Sequence, residues 1–278
     1  MKTILAAFAV FLLTTTTFAF NPLEPDGQYD SNNILVNPAA MDIGAILRAN
    51  VNVVVTGIYK ISDGQEVPFR NTVSATVVLG RYIVSVGHGL GKDEMDIFVP
   101  FEGPKKAKKT SEHISLEGDP GLVLTRVHAS PTKDVAIFQL PDGVILPSFP
   151  YAVGDSDGLK VTHFVYGVGR PLGDGVNVRS GMVSAVRVDA NFLTEATENP
   201  DDYFMISTMP IPGESGGQII ALCDGNFEWV GLPASVHSRF PQLGTALRIN
   251  TVRDVVLHEC STCADELRQY FLKRGRCH

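Results

Sequence analysis

From residue 50 onward the chain is a succession of short runs rich in β-branched and aromatic residues, each ended by Gly, Pro, Asn or Asp. The first group is "VNVVVTGIYKI", "TVSATVVLGRYIVSVGH", "DIFVPF", "GLVLTRVHA" and "DVAIFQL". After the Pro-bounded stretch "PDGVILPSFP" come "KVTHFVYGVG", "VNVRSGMVSAVRVD", "DYFMISTM", "GGQIIAL", "EWVGLPASV" and "GTALRI". About eleven strands, with turns at intervals of roughly 8 to 15 residues, are the pattern of sandwiches and barrels. No helical period alternates with them, so a parallel α/β sheet is not expected. The pattern predicts an all-β chain of two units, about residues 50–140 and 151–250, joined by a linker at 141–150. No internal repeat is visible.

The ends read differently. Met1-Lys2, the apolar "TILAAFAVFLL" and Thr17-x-Ala19 form a secretory signal peptide over residues 1–19, which predicts a secreted or periplasmic protein. That apolar stretch is too short to span a bilayer comfortably, and no later segment qualifies, so no stable membrane insertion is expected. Residues 20–49 read as an N-terminal extension, much of it rich in Pro, Asn and Asp. Near the C-terminus, Val252, Val255 and Val256, then Leu267, Tyr270 and Phe271, fall at helical spacing. Residues 251–278 are therefore expected to be a helix and a Cys-rich tail, with Lys273 and Arg274 in the last turn and Gly275 as the stop.

The four cysteines, Cys223, Cys260, Cys263 and Cys277, are even in number and belong to an exported chain, so disulfides are expected, with three pairings open. A zinc site from Cys260, Cys263, Cys277 and His278 is the competing reading. It would need a ligand pair adjacent in sequence, where zinc sites use spaced pairs. No metal and no cofactor are expected. A formal charge of −7 argues against nucleic acid as the partner. The local exception, Lys105-Lys106-Ala107-Lys108-Lys109, reads as a solvated loop tip.

The residues "PGESGGQII" contain Gly213-Glu214-Ser215-Gly216-Gly217, which fits two nucleophile contexts. In an α/β-hydrolase the serine precedes the acid and the histidine, and a helix follows it at once. Here a glycine pair and then an apolar strand follow, so that context fails. The reverse order, His then Asp then Ser, is available upstream. His88 lies where the strand of "YIVSVGHGLG" gives way to glycine, and Asp134 stands at the head of "DVAIFQL". His88 and Asp134 are 46 residues apart, and Asp134 and Ser215 are 81 apart. Taken singly they read as a buried histidine, a strand-heading aspartate and a turn serine. Together they form a Ser-His-Asp constellation. His113, His128, His163, His237 and His258 have no such neighbourhood and are read as structural or exposed. "GVGRPLGDG" lacks a helix-opening fingerprint and is read as a turn.

"SVGHGLG", "KDVAIFQL" and "PGESGGQII" resemble the three signature segments of trypsin-like serine endopeptidases. "GRPLGDGVNVRSGMVSAV" and "EWVGLPASVHSRFPQLGTALRINTVRDVV" are similar to later segments of HtrA-like bacterial members. The resemblance covers about residues 50 to 257 and implies two packed antiparallel six-stranded β-barrels with a C-terminal helix. It also implies hydrolysis of polypeptide substrates through an acyl-enzyme on Ser215, with His88 as base, Asp134 as its orienter, and the Gly213 and Ser215 amides as oxyanion hole. The substrate-binding residues it implies are Met209, at the floor of the primary pocket, with Pro233 and Ala234. A catalytically silent relative binding peptides in the same cleft is the alternative. The sequence departs from the family at Gln218, where proline is common, and no PDZ-like module follows the barrels.

Overall fold

A computed structural model of the chain describes residues 26–32, 42–171, 175–190, 199–208, 210–236 and 243–277. The signal segment, Met209, His237 and His278 lie outside the described residues. A short helix, α1 (Ile43–Ala49), is capped by Asp42, whose Oδ1 accepts from the Ala45 amide at 2.8 Å. It leads into β1 (Asn50–Ile61), β2 (Glu66–Val78) and β3 (Tyr82–Ser85). Then follow β4 (Glu94–Val99), β5 (Gly103–Leu116), β6 (Asp119–Val123), β7 (Thr125–Ala129) and β8 (Ala136–Gln139). These eight form one antiparallel sheet in the order β4-β5-β1-β2-β3-β8-β7, with β6 on β5. No ladder joins β4 to β7 among the described residues, so within the expected double-barrel architecture this half is a half-barrel.

The second sheet contains β9 (Ala152–Val153), β10 (Phe164–Gly169), β11 (Asn177–Ala185), β12 (Tyr203–Ile206), β13 (Gln218–Cys223), β14 (Asn226–Val236) and β15 (Gly244–Arg248). Its order is β13-β10-β11-β12-β15-β14-β9, and an additional β13–β14 ladder closes six of these strands into a barrel. Successive strand residues point to opposite faces, and in β13 both faces are buried. In β13, Ile219, Ala221 and Cys223 face the barrel interior with Val165, Phe204, Val230 and Ala246. Ile220 and Leu222, between them, belong to the larger core that also holds Val77, Phe138, Phe149, Trp229 and Phe271. Strands buried on both sides read as continuous apolar runs, which is how "GGQIIAL" looks.

The stretch 141–150 runs across the back of both sheets. The Phe149 amide donates to the Val77 carbonyl at 2.8 Å, and the Phe149 ring lies 5.5 Å from that of Trp229. Residues 26–32, inside the expected extension, add to the second barrel. Tyr29 bridges Cys223, and the Phe164 amide donates to the Asp30 carbonyl at 2.7 Å.

The C-terminal helix is broken. α2 (Ile249–Asp254) widens into a π turn at Val255–Glu259, a Cys260–Cys263 disulfide closes the next turn, and α3 (Asp265–Leu272) follows. Gly275 does not cap α3. Its amide donates to the Val153 carbonyl, and a Cβ there would sit 2.2 Å from the Glu228 carboxylate. The tail is thus pressed onto the barrel and tied by a second disulfide, Cys223–Cys277. The sulfurs of a Cys260, Cys263 and Cys277 zinc site are divided between these two bonds. Lys105 to Lys109 are not a loop tip either: they lie on β5, where Lys105 meets Asp63 and Glu102, Lys106 meets Asp96, and Lys109 meets Asp93 and Glu112.

Candidate active site

His88 sits in a single helical turn, Gly87–Leu90, between β3 and β4. Gly91, at φ +70°, ends the turn by donating its amide to the His88 carbonyl at 3.1 Å. The turn is packed so closely on β2 that a Cβ on Gly89 would lie 2.7 Å from the Val73 methyl. Asp134 enters from the segment before β8 and takes hold of His88 twice. Its Oδ1 accepts from the His88 backbone amide at 2.7 Å and its Oδ2 pairs with the ring Nδ1 at 2.8 Å. A carboxylate only accepts, so Nδ1 carries the proton and Nε2 is the ring's lone-pair nitrogen. The Asp134 side chain is 8% exposed and that of His88 47%, which places the acid beneath and the base at the surface of the cleft.

The loop carrying Asp134 is anchored from the far end of the chain. Ser130 accepts from the Lys133 amide at 3.0 Å and donates to Glu259 at 2.8 Å, while Thr262 donates to the Val127 carbonyl at 2.8 Å.

The Ser215 loop belongs to the second barrel. Gly213 has φ +95° and Gly216 φ +86°, a region that side chains avoid. At Gly216 the requirement is doubled, because a Cβ would lie 2.2 Å from both the Ser74 carbonyl and the Ser85 hydroxyl. Among the described residues, neither the Gly213 nor the Ser215 amide donates to a protein acceptor. Ser215 Oγ donates to the Ala234 carbonyl at 2.9 Å. Ala234 is a bulge residue of β14, between the pairs Pro233–Ala246 and Ser235–Thr245. Beyond Gly231 that strand forms a ladder with β15, and toward the serine its Pro233 carbonyl accepts from the Gly216 amide at 2.8 Å.

Two further features frame the site. Glu214 is 3% exposed, and its carboxylate accepts from the Ile211 amide and from Arg179 of β11. The sequence offers Arg170 or Arg179 as an arginine partner for Glu214 without choosing between them, and the structure selects Arg179, 35 residues away. The second is a cleft of about 920 Å³ on the first sheet, running from His88 and Asp134 past Tyr59, Phe69, Met95 and Ile97.

A half-barrel and a barrel packed face to face, with a C-terminal helical segment, make the trypsin-like double-barrel fold. Residues 103–232 match the trypsin-like peptidase domain family, a span that includes Asp134 and Ser215 and begins after His88. Within that class the chain resembles the DegP/HtrA-type serine endopeptidases. It is 34% identical over 133 residues to a probable periplasmic serine endoprotease DegP-like of Pseudomonas putida, covering 46% of this chain and 25% of the relative. It is 31% identical over 111 residues to the periplasmic serine endoprotease DegP of Escherichia coli K12, covering 40% and 21%. The chain therefore spans about a quarter of the length of these relatives. Among solved structures, the HtrA-type protease AlgW with a decapeptide superposes with a TM-score of 0.53 at 17% identity, covering 78% of this chain and 66% of that one. AlgW with a tripeptide gives 0.51 at 18% identity, over 78% and 63%.

Proposed function

We propose that the chain is an exported serine endopeptidase acting through an acyl-enzyme on Ser215. The observation that carries this reading is the two-point grip of Asp134 on His88, because it fixes the tautomer in which Nε2 can accept a proton. Ser215 Oγ attacks the peptide carbonyl carbon as its proton passes to Nε2. The carbonyl oxygen becomes an oxyanion that receives the Gly213 and Ser215 amides. Collapse breaks the C–N bond, and His88 returns the proton to the leaving amine. Water then repeats the cycle on the ester and frees Ser215. Before attack, the Ser215 hydroxyl must leave Ala234, since its single proton cannot go to both acceptors.

The long cleft beside His88 fits an extended polypeptide better than a small ester. The relatives are periplasmic proteases by name, which supports export and peptide hydrolysis here. Met209, Pro233 and Ala234 are the residues for the primary pocket. A thioether floor gives Lys or Arg no partner, so cleavage follows Val, Leu, Ile or Ala. Glu214 is held by Arg179, a residue internal to the chain, which supports a protein competent without a newly cut N-terminus.

A second reading, a silent peptide binder, draws on the hydrogen bond that holds Ser215 to Ala234. A fluorophosphonate probe and a peptide library separate the two. Labelling at Ser215 with turnover is expected. An unlabelled Ser215 leaves the binder, and labelling without peptide turnover rejects the endopeptidase.

A further inference from the structure

Ser74, on β2 of the half-barrel, is the point where the two halves meet beneath the nucleophile. It is wholly buried, and both its donors go to a single atom across the interface. The Ser74 amide donates to the Gly213 carbonyl at 2.9 Å and its hydroxyl donates to the same oxygen at 2.7 Å. The direction of that hydroxyl is itself fixed. Its oxygen accepts from the Arg170 amide at 2.8 Å, and the other acceptor in reach, Asn52 Oδ1, is more distant at 3.5 Å. The Ser74 carbonyl, in turn, takes the Ser85 hydroxyl at 2.7 Å. Every polar atom of Ser74 is therefore committed, and two of them hold one carbonyl.

We propose that Ser74 is a positioning residue for the oxyanion hole: it holds the Gly213 carbonyl so that the Gly213 amide stays aimed into the cleft. This rests on the peptidase reading above. Gly213 is the residue that most needs such a hold, because glycine samples both signs of φ freely and its value here is +95°. The Gly213 amide lies on the adjoining 212–213 peptide, so a Gly213 carbonyl fixed by Ser74 pins one side of the residue that aims it. A displaced carbonyl would leave the buried Ser74 amide unpaired, so the observed conformation is favoured before substrate arrives. Oxyanion stabilisation depends on donors being in place in advance, which is what such a hold supplies.

The test compares purified wild type with Ser74→Ala, and uses Thr76→Val as a control two residues along the same strand. Thr76 is equally buried, and its hydroxyl has no partner among the described residues. Ser74→Ala is expected to lower kcat on the order of 10- to 100-fold with KM little changed, less than the roughly 100- to 1,000-fold seen on removing an oxyanion donor outright. A peptide boronic acid, whose serine adduct is tetrahedral, should lose affinity by the same factor, while the matching peptide amide keeps its affinity. The acid limb of the pH–rate profile should not move, and Thr76→Val should behave as wild type.

Activity of Ser74→Ala within about twofold of wild type would overturn the proposal, as would equal losses of boronate and amide binding. If Ser74→Ala does not fold, Ser74→Cys, with similar volume and a weak donor, decides by the same two ratios. Wild type that fluorophosphonate leaves unlabelled at Ser215 removes the peptidase reading and this proposal together. Labelled wild type with an indifferent Ser74→Ala removes only this one.

Discussion

The two halves of the molecule enclose themselves to different degrees. The second is a closed barrel whose strand β13 is buried at every residue, and the Cys223–Cys277 bond ties its end to the tail. The first is open between β4 and β7, and its β4–β5 hairpin exposes Phe98 and Phe101. The proposed acid and base, Asp134 and His88, belong to the open half and are bonded directly to each other. The proposed nucleophile belongs to the closed half and is held by turn geometry. The reactive register is consequently set where the halves cross, through buried polar contacts such as Asn50 to Gln218 at 3.0 Å, Arg170 Nε to the Asn50 carbonyl at 2.8 Å, and Ser74 to Gly213. An apolar interface would allow the halves to slide, whereas directional bonds fix one alignment.

The largest effect should come from removing one member on either side of that crossing. Ser215→Ala or His88→Ala should each lower kcat about a millionfold if the three residues act as a unit. Asp134→Asn should cost about 10⁴-fold, because an amide cannot hold the same tautomer. Folding should persist in all three, as read by circular dichroism. Because the loss arises from chemistry shared across both halves, the serine and histidine variants should be equally inactive. A Ser215→Ala protein with wild-type turnover would end the assignment.

The two disulfides should differ in stabilisation by about 2–3 kcal/mol. Cys223–Cys277 closes a loop of 54 residues, so replacing both with Ala should cost about 4 kcal/mol on the chain-entropy account. Cys260–Cys263 spans only three positions, and its loss should cost about 1–2 kcal/mol. Thermal melts of the two double mutants check this order. If the short bridge proved the costlier, its value would lie in holding Thr262 and Glu259 against the segment that carries Asp134.

Much of this architecture was legible in the sequence, and the illegible parts share a cause. The strands announced themselves because β-branched runs between Gly and Pro have few alternatives, and Ser215, His88 and Asp134 stood out because strand ends fixed their context. The opening of the first sheet was hidden, since closure depends on whether its end strands β4 and β7 meet edge to edge, which local pattern does not encode. The break after α2 was hidden as well: Val252, Val255 and Val256 satisfy an α-helix and a π turn equally. Arg179 was legible only as one of two arginines that could pair with Glu214, and Ser74 acts through Gly213, 139 residues along the chain, of which a lone serine in a strand carries no sign.

Arg179 gives the next effect in size. Replacing it with Met leaves Glu214 buried with only the Ile211 amide, and an unpaired buried carboxylate costs about 3 kcal/mol. The sign with pH is diagnostic. Burial without a cation raises the carboxyl pKa, so the variant should recover stability as acid protonates Glu214 and lose it as pH rises. Melts of wild type and Arg179→Met across pH should therefore converge on the acid side. Parallel curves would mean that the pair contributes packing and not charge.

The smallest effect lies in the closed barrel, at its junction with the N-terminal arm. His163 is buried, its Nδ1 accepts the Lys160 amide at 3.0 Å, and the Tyr29 ring stands 6.0 Å away. Burial, and then the nearby Lys160 charge, hold its pKa below the ordinary histidine value. The folded state thus prefers the neutral ring, and the unfolded chain binds the proton more readily. Stability from this site is complete above the unfolded pKa of about 6.5 and is lost as pH falls through the folded value. His163→Gln, which keeps a polar acceptor without a titrating ring, should melt at nearly the wild-type temperature at pH 8 and lose less than wild type on going to pH 5. Hydrogen exchange should show the difference first at Phe164, whose amide holds the arm through Asp30. If wild type and His163→Gln lose stability in parallel between those pH values, the acid sensitivity of the arm originates at another group.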